Sequence, residues 1–350
     1  METLIFSDQI IDEIVRVLLF GFLGFAVAML LTPIYTHFAY KHQWWKKQSS
    51  SGLDGKKTAV YSKLHAAKHR RNIPTMAGLV MLFSVVLVTL ALNLSREQTY
   101  LPLAAFVGAG LIGLIDDMIP ILGRGDRGVA GMGAKQKMLL ITAVAVVGGM
   151  YFYSRLGYNS IFIPFVGGGT EWVIGAMLVP LFTLVVVATA NAVNITDGLD
   201  GLAGGLTMFA YSSFGSIAFL QGNYGIAGFC LTVVGTLLAY TWFNIHPARF
   251  FMGDVGSFAL GTGLGVIAML TSSIMLLPVI GAVFVFETGT VILQQLSKRF
   301  RGKKIFLSTP IHHHFEAIGW PETKVTMRFW VIGLVAGILG VVLALLGGSV

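Results

Sequence analysis

Five of the nine aspartates in this 350-residue chain fall in three short polar clusters: Asp116-Asp117, Asp197 with Asp200, and Asp254. Each cluster lies at one end of a long apolar run. A carboxylate in a bilayer costs about 3 kcal/mol unless it is at the surface, paired or metal-bound. Five acids at helix mouths therefore point to a cation-dependent site at one membrane face. Asp116 and Asp117 are adjacent, so on a helix they diverge by about 100°. They need not share a ligand: one can hold a cation while the other acts as a base.

The second cluster reads Asn191-Ala-Val-Asn194-Ile-Thr-Asp197-Gly198-Leu-Asp200-Gly201. Asn191 and Asn194 share a helix face at i,i+3 spacing. Gly198 and Gly201 permit a tight turn whose N–H groups can approach a ligand. Carboxamides, carboxylates and bare backbone suit a sugar nucleotide or a metal–phosphate group. In the third cluster Asp254 sits between Gly253 and Ser257, where the next helix opens, and N-capping is the structural alternative to a binding role. Phe250 and Phe251 beside it offer a flat face, although an interfacial aromatic also serves as an anchor. The fourth stretch is Thr309-Pro310-Ile311-His312-His313-His314-Phe315-Glu316, downstream of the basic run Lys298–Lys304. Three consecutive histidines rarely converge on one ion, so donors to phosphate are the preferred reading over zinc. Glu287 lies inside an apolar run, where an acid marks a functional site or a hydrogen-bonded position in a broken helix.

The elements that must position these residues are membrane spans. The chain is 55% hydrophobic and only 11% charged, with a mean hydropathy of +0.78, which excludes an ordinary soluble domain. Apolar runs recur throughout, so residues 1–350 read as a single integral membrane domain. Met1 is followed by acidic residues, so no cleavable signal is expected. Cys230, the one cysteine, lies in an apolar run as a packing residue. Forty-three glycines fit close helix packing in lipid. Ten spans are expected, centred on 15–38, 75–94, 101–118, 136–153, 172–191, 204–220, 224–243, 257–271, 275–296 and 328–347, giving an all-α polytopic fold. With both termini outside, only Arg16, Arg96 and Arg155 of the 24 basic residues fall on the outer side, and 21 fall inside. This bias sets the orientation and puts every acid cluster and the histidine triplet on the inner face. The inner positive charge follows from that rule or attracts anionic lipid or a phosphorylated substrate. Nothing resembles a nucleic-acid-binding module.

Taken in order from about residue 65, Asp116-Asp117, N-A-V-N-I-T-D-G-L-D-G, F-M-G-D-V-G-S and T-P-I-H-H-H-F-E resemble the phospho-N-acetylmuramoyl-pentapeptide transferase family, within the polyprenyl-phosphate N-acetylhexosamine-1-phosphate transferases. The aspartate motifs are shared across that superfamily. The P-I-H-H-H-F-E stretch with Gly319-Trp320, and the Glu287-to-Gln294 spacing, mark the muramoyl-pentapeptide branch. The chain departs from the family's H-x-x-K-x-G-T-P-T-M-G-G stretch: from His65 to Gly78 it is two residues longer, and Lys68, Arg70 and Arg71 all compete for the family lysine's role.

The resemblance implies a ten-helix protein of the bacterial cytoplasmic (inner) membrane, with periplasmic termini and a lipid-open site on the cytoplasmic face. Its substrates would be UDP-N-acetylmuramoyl-pentapeptide and undecaprenyl phosphate and its cofactor Mg2+, with a homodimer left open. The lipid phosphate would attack the β-phosphorus, giving the lipid diphosphate and UMP. Residue by residue, it makes Asp254 the Mg2+ ligand with Asn194 as a second, and Asp116 the base or a positioning group that Asp117 can replace. Asp200 and Phe251 would hold uracil. Asn191, Asp197 and Thr75 would line the ribose–diphosphate path, and Lys135, His312, His313 and His314 would face phosphate. Two other readings remain: transfer from UDP-N-acetylglucosamine, against which the triplet argues, and a cation-coupled transporter, whose acids should lie at mid-membrane rather than at one face.

Overall fold

The computed structural model describes residues 8–45, 72–123, 131–166 and 169–350. Lys68, Arg70 and Arg71 lie outside them. The long helices are α1 (Asp8–Lys41), α2 (Gly78–Leu92), α3 (Tyr100–Ile121), α4 (Ala134–Ser154), α5 (Leu178–Thr196), α6 (Leu202–Leu220), α7 (Tyr224–Asn244) and α8 (Gly253–Leu270). The short α9 (Leu277–Ile280), α10 (Ala282–Arg301), the short α11 (Ile311–Ala317) and α12 (Glu322–Leu346) complete the bundle. Among the described residues, eight helices are long and apolar enough to cross a membrane. The 274–280 segment and α10 are bent by 82° to one another and make a ninth if the pair counts as one broken span. The span expected at 75–94 is α2, an apolar helix of only 15 residues, because Met76 adopts a left-handed φ of 71° just before it.

A two-stranded antiparallel hairpin, β1 (Ser160–Ile163) and β2 (Thr170–Val173), adds the strands that an all-α reading lacked, with Ile161 opposite Trp172. The ninth span breaks at Gly281, six residues before Glu287, so Glu287 lies inside an unbroken stretch of α10.

Helix α8 is the axis of the fold, buried along nearly its whole length. It packs against α3, α5 and α2, while α1 lies on α7 and α12 on α6 along the outside. Small residues allow this closeness: a Cβ at Gly113 of α3 would collide with the Asp254 carbonyl. The outer helices turn large apolar side chains outward, including Phe22, Leu30 and Ile34 on α1 and Val331, Val335 and Ile338 on α12. Lipid, which is as apolar as these side chains, explains the arrangement.

Alternating helix direction brings the C-termini of α1, α3, α5, α7 and α10 to the same end as the N-termini of α2, α4, α6, α8 and α12. Cross-links at this end confirm it, such as Phe251 N–H to Pro74 O at 2.8 Å and Gly201 N–H to Asn244 Oδ1 at 2.8 Å. At the opposite end, near the hairpin, Gln221 donates to the carbonyls of Thr271 and Ser349 at 2.9 and 2.7 Å.

Candidate active site

The acidic corner is built where α3 ends and α4 and α8 begin. Asp116, Asp117 and Asp254 each contribute a carboxylate oxygen to a group whose atoms all lie within 4.8 Å of one another. The two adjacent aspartates diverge as helix geometry requires. Asp116 turns to α4: it accepts the Met132 N–H at 2.5 Å and the Lys137 ammonium at 3.1 Å. Asp117 turns to α8 and accepts the Val255 N–H at 3.3 Å. It thereby caps another helix's N-terminus, where an anion is favoured. Lys137 also donates to Asp254 Oδ2 at 3.0 Å, so one ammonium joins two carboxylates from different helices. On the far side of Asp254, Asn194 Nδ2 donates to Oδ1 at 3.1 Å and to Ser257 Oγ at 2.9 Å. Asp116 and Asp117 are buried, while the Asp254 and Lys137 side chains keep 16% and 23% exposure. The corner is therefore open on the Asp254–Lys137 side.

Glycine holds the corner together at one strained point. Gly253 has a φ of +72°, a region favouring glycine. A Cβ there would meet Asp117 Oδ2 and Thr75 Oγ1. Thr75 is thus beside Asp117; it is buried, and its carbonyl accepts the Tyr35 hydroxyl at 2.6 Å.

Lys135 is not part of this corner. It is exposed, whereas Lys137 reaches both Asp116 and Asp254. The reason is helical phase. Ile141, Ala145, Gly148 and Phe152 form the buried stripe of α4. Lys137 sits one turn before Ile141 on that stripe, whereas Lys135 is two residues away on another face. That periodicity was present in the sequence and would have selected Lys137.

Asp200, expected at uracil, lies in the turn after α5. Its side chain is fully buried. Oδ2 meets His246 Nδ1 at 3.0 Å and accepts the Ala248 N–H at 3.1 Å. Its own N–H donates to Glu322 at 2.6 Å, and its carbonyl accepts Thr326 Oγ1 at 3.2 Å. Asp200 therefore ties the turn after α5 to α12 and to the loop after α7. Asp197, in the same turn, is half-buried. Asn191 is half-buried and donates to Val187 O at 2.8 Å within its own helix.

The three histidines do not converge on one point. His312 Nδ1 meets Glu287 Oε2 at 2.9 Å, both side chains being fully buried. His313 Nδ1 meets Glu316 Oε2 at 2.7 Å. His314 Nδ1 accepts the Leu307 N–H at 3.3 Å. His312 places its Nε2 against Gly198, on the α5–α6 turn. Phe250 is buried against Tyr35, Tyr240 and Phe243. Phe251, half-buried, is pinned through its backbone by Pro74 and Ala77.

Between α5, α8 and the broken α9–α10 span lies a groove of about 400 Å3. Its walls are almost wholly apolar, with Leu184, Leu264, Phe284 and Ile292 among them, and Ala192 and Val193 bring it to the level of Asn191 and Asn194.

A family model described as Glycosyl transferase family 4 matches residues 99–272, which include every member of the acidic corner. A phospho-N-acetylmuramoyl-pentapeptide-transferase of Geobacillus sp. (strain WCH70) is 38% identical over 325 residues, covering 91% of this chain and 95% of that one. Another from Heliobacterium modesticaldum is 40% identical over 278 residues, 79% of this chain and 85% of its own. A third, from Chloroflexus aggregans, is 35% identical over 354 residues, 97% and 92% of the two chains.

Proposed function

The chain belongs to the phospho-N-acetylmuramoyl-pentapeptide-transferase family, and on that footing we propose that it transfers phospho-N-acetylmuramoyl-pentapeptide from its UDP derivative to undecaprenyl phosphate. It is a phospho-sugar transferase and a multi-pass bacterial membrane protein. An oxygen of the lipid phosphate forms a bond to the β-phosphorus, the bond to the UMP oxygen breaks, and UMP leaves with the electron pair. One phosphoanhydride replaces another, so the chemistry demands little energy. What it demands is that two anions be brought together and the departing charge be neutralised.

The observation that carries this reading is Lys137 held between Asp116 and Asp254. It fixes an ammonium at the open edge of a carboxylate cluster, where an incoming phosphate oxygen would find a donor. Because a lipid phosphate is already ionised near neutral pH, Asp116 serves better as the group that positions Lys137 than as a base. Oxygen donors this close suit a hard divalent cation. Asp254 and Asn194, through its Oδ1, would hold Mg2+ with Asp116 and Asp117 beside them. Bound there, the ion would neutralise diphosphate oxygens. Phe251 would stack on uracil, with Asp197 and Asn191 along the path to the diphosphate. The apolar groove along α5, α8 and α10 fits the polyprenyl chain, since it ends level with Asn191 and Asn194.

Residues 1–350 act as one domain on this reading, and the corner faces the cytoplasm. The distribution of 21 basic residues to that side supports the orientation. With buried Cys230 as a silent background, Lys303→Cys should be shielded from an impermeant thiol reagent in intact cells and Glu97→Cys should react. The reverse pattern inverts the topology. For the reaction, the purified protein is incubated with radiolabelled UDP-N-acetylmuramoyl-pentapeptide, undecaprenyl phosphate and Mg2+. Label should enter butanol, and only with this donor. Transfer from UDP-N-acetylglucosamine alone, or no transfer at all, would sink the assignment.

A further inference from the structure

A second recess, of about 590 Å3, opens on the flank of the bundle between the last turns of α1 and the loop after α7. Thr36, His37, Tyr40 and Lys41 face Phe243 and Arg249 across it, and Thr32 with Pro33 closes its inner end. Neither Lys41 nor Arg249 forms an ion pair with any carboxylate among the described residues. The Arg249 guanidinium lies 5.8 Å from the centroid of the Phe243 ring. Its backbone is fixed at both ends: the N–H donates to Phe243 O at 2.9 Å, and the carbonyl accepts the Tyr40 hydroxyl at 3.4 Å. The exposed guanidinium thus stands beside an aromatic ring with no anionic partner among the described residues.

The recess also has a direction. From Thr32 to Lys41 the helix rises about 13 Å. The charged groups stand only at the mouth, where α1 ends, and the inner wall is proline, hydroxyl and ring. Beside it Leu30, Ile34 and Phe38 are exposed on the outer face of α1. A soluble anion would use the mouth and leave the rest unfilled. A molecule with an anionic phosphate at one end and hydrocarbon at the other fits both halves, and basic pockets at helix ends on the inner side of a membrane suit such headgroups.

We infer that this recess holds the headgroup of an anionic membrane phospholipid. Its phosphate lies between Lys41 and Arg249, its glycerol runs along Thr36 and Thr32, and its acyl chains lie on the outer face of α1. The inference uses the membrane-spanning architecture and is independent of the transferase chemistry.

The test is binding, not turnover. Full-length protein in phosphatidylcholine nanodiscs is given trace spin-labelled phosphatidylglycerol or phosphatidylcholine, and the motionally restricted fraction is measured. Wild type should prefer phosphatidylglycerol by about tenfold or more, the scale for two basic side chains at a membrane surface. Lys41→Gln with Arg249→Gln should abolish the preference, and Lys41→Arg with Arg249→Lys should retain it. Thr36→Phe, which fills the recess without altering charge, should weaken it, and thermal melting should be unchanged in each variant used. Equal restriction of the two lipids in wild type overturns the proposal, as does a preference that survives both Lys41→Gln/Arg249→Gln and Thr36→Phe. Inorganic phosphate at 10 mM, an amount chosen on the order of weak surface binding, should leave the preference intact. Complete displacement by it would mean that the recess takes free phosphate, and the lipid assignment fails.

Discussion

The acidic corner and the histidine corner lie at the same end of the bundle and use the same kinds of side chain, yet they are wired differently. Around Asp116, Asp117 and Asp254, three carboxylates from two helices converge, and the lysine among them reaches two at once. Around His312, His313 and His246, the Nδ1 of each ring faces a carboxylate in a local pair or triad: Glu287, Glu316, and Asp200 with Glu322. The first arrangement keeps Asp254 and Lys137 partly exposed; the second encloses the Glu287–His312 pair completely. Charges that converge and stay open can take up a ligand. The Glu287–His312 contact ties α10 to α11, and removing either partner leaves a buried polar group unsatisfied.

The comparison can be broken most sharply at Asp254. Asp254→Asn should lower turnover about a hundredfold or more while leaving melting nearly unchanged, in line with losses when a charge-stabilising group is removed. Added chelator should abolish wild-type transfer and Mg2+ should restore it. Activity that survives both changes would remove the acidic corner from the chemistry.

The second effect separates two lysines. Lys137→Gln should cost roughly tenfold to a hundredfold in kcat, the scale of hydrogen bonds to charged groups. Lys135→Gln should stay within about twofold, as surface changes do. Equal losses would mean that the phase of α4 has been misread.

Phe251→Ala should raise the Michaelis constant for the UDP-sugar by about tenfold through lost stacking, with the constant for the lipid phosphate unmoved. A rise in the lipid constant alone would make Phe251 an interfacial anchor.

The smallest catalytic effect is expected in the histidine corner. Glu287→Gln should destabilise the fold by about 1–3 kcal/mol, seen as a lower melting midpoint, while transfer below that midpoint falls only a few-fold. A loss as deep as that of Asp254→Asn, without a change in melting, would put His312 among the reacting groups and erase the distinction between the corners.

The sequence made much of this legible. Eight of the ten expected spans coincide with helices long and apolar enough to cross a membrane and a ninth with a bent helix pair, while the one at 75–94 is the short α2; a run of apolar residues is a local property that lipid enforces. The acid motifs were visible for the same reason: each is contiguous. What was hidden depends on pairing between distant residues. Asp200 is bound by Glu322, 122 positions away, and its local turn motif gives no sign of that. The His312 partner lies 25 positions back on another helix, so a triplet read as one unit separates into three. Lys137 was a different kind of miss, since the stripe from Ile141 to Phe152 already carried its phase. The break at Gly281 and the β1–β2 hairpin arise from backbone geometry between spans, where hydropathy is silent.

The shortness of α2 has a consequence for the membrane itself. Fifteen residues rise only about 22 Å, against a hydrocarbon thickness of roughly 30 Å. Phe83, Leu87 and Leu90 are nevertheless turned outward, so on this flank the bilayer meets a wall too short for it. Such hydrophobic mismatch is relieved by local thinning and by sinking the polar flanks. Thr75, just before α2, belongs to the acidic corner's floor beside Asp117. Thinning on this flank would draw the leaflet surface down toward the corner. On the function proposed above, a lipid phosphate drifting in the plane of the membrane would then arrive level with it and need not be lifted toward water to react.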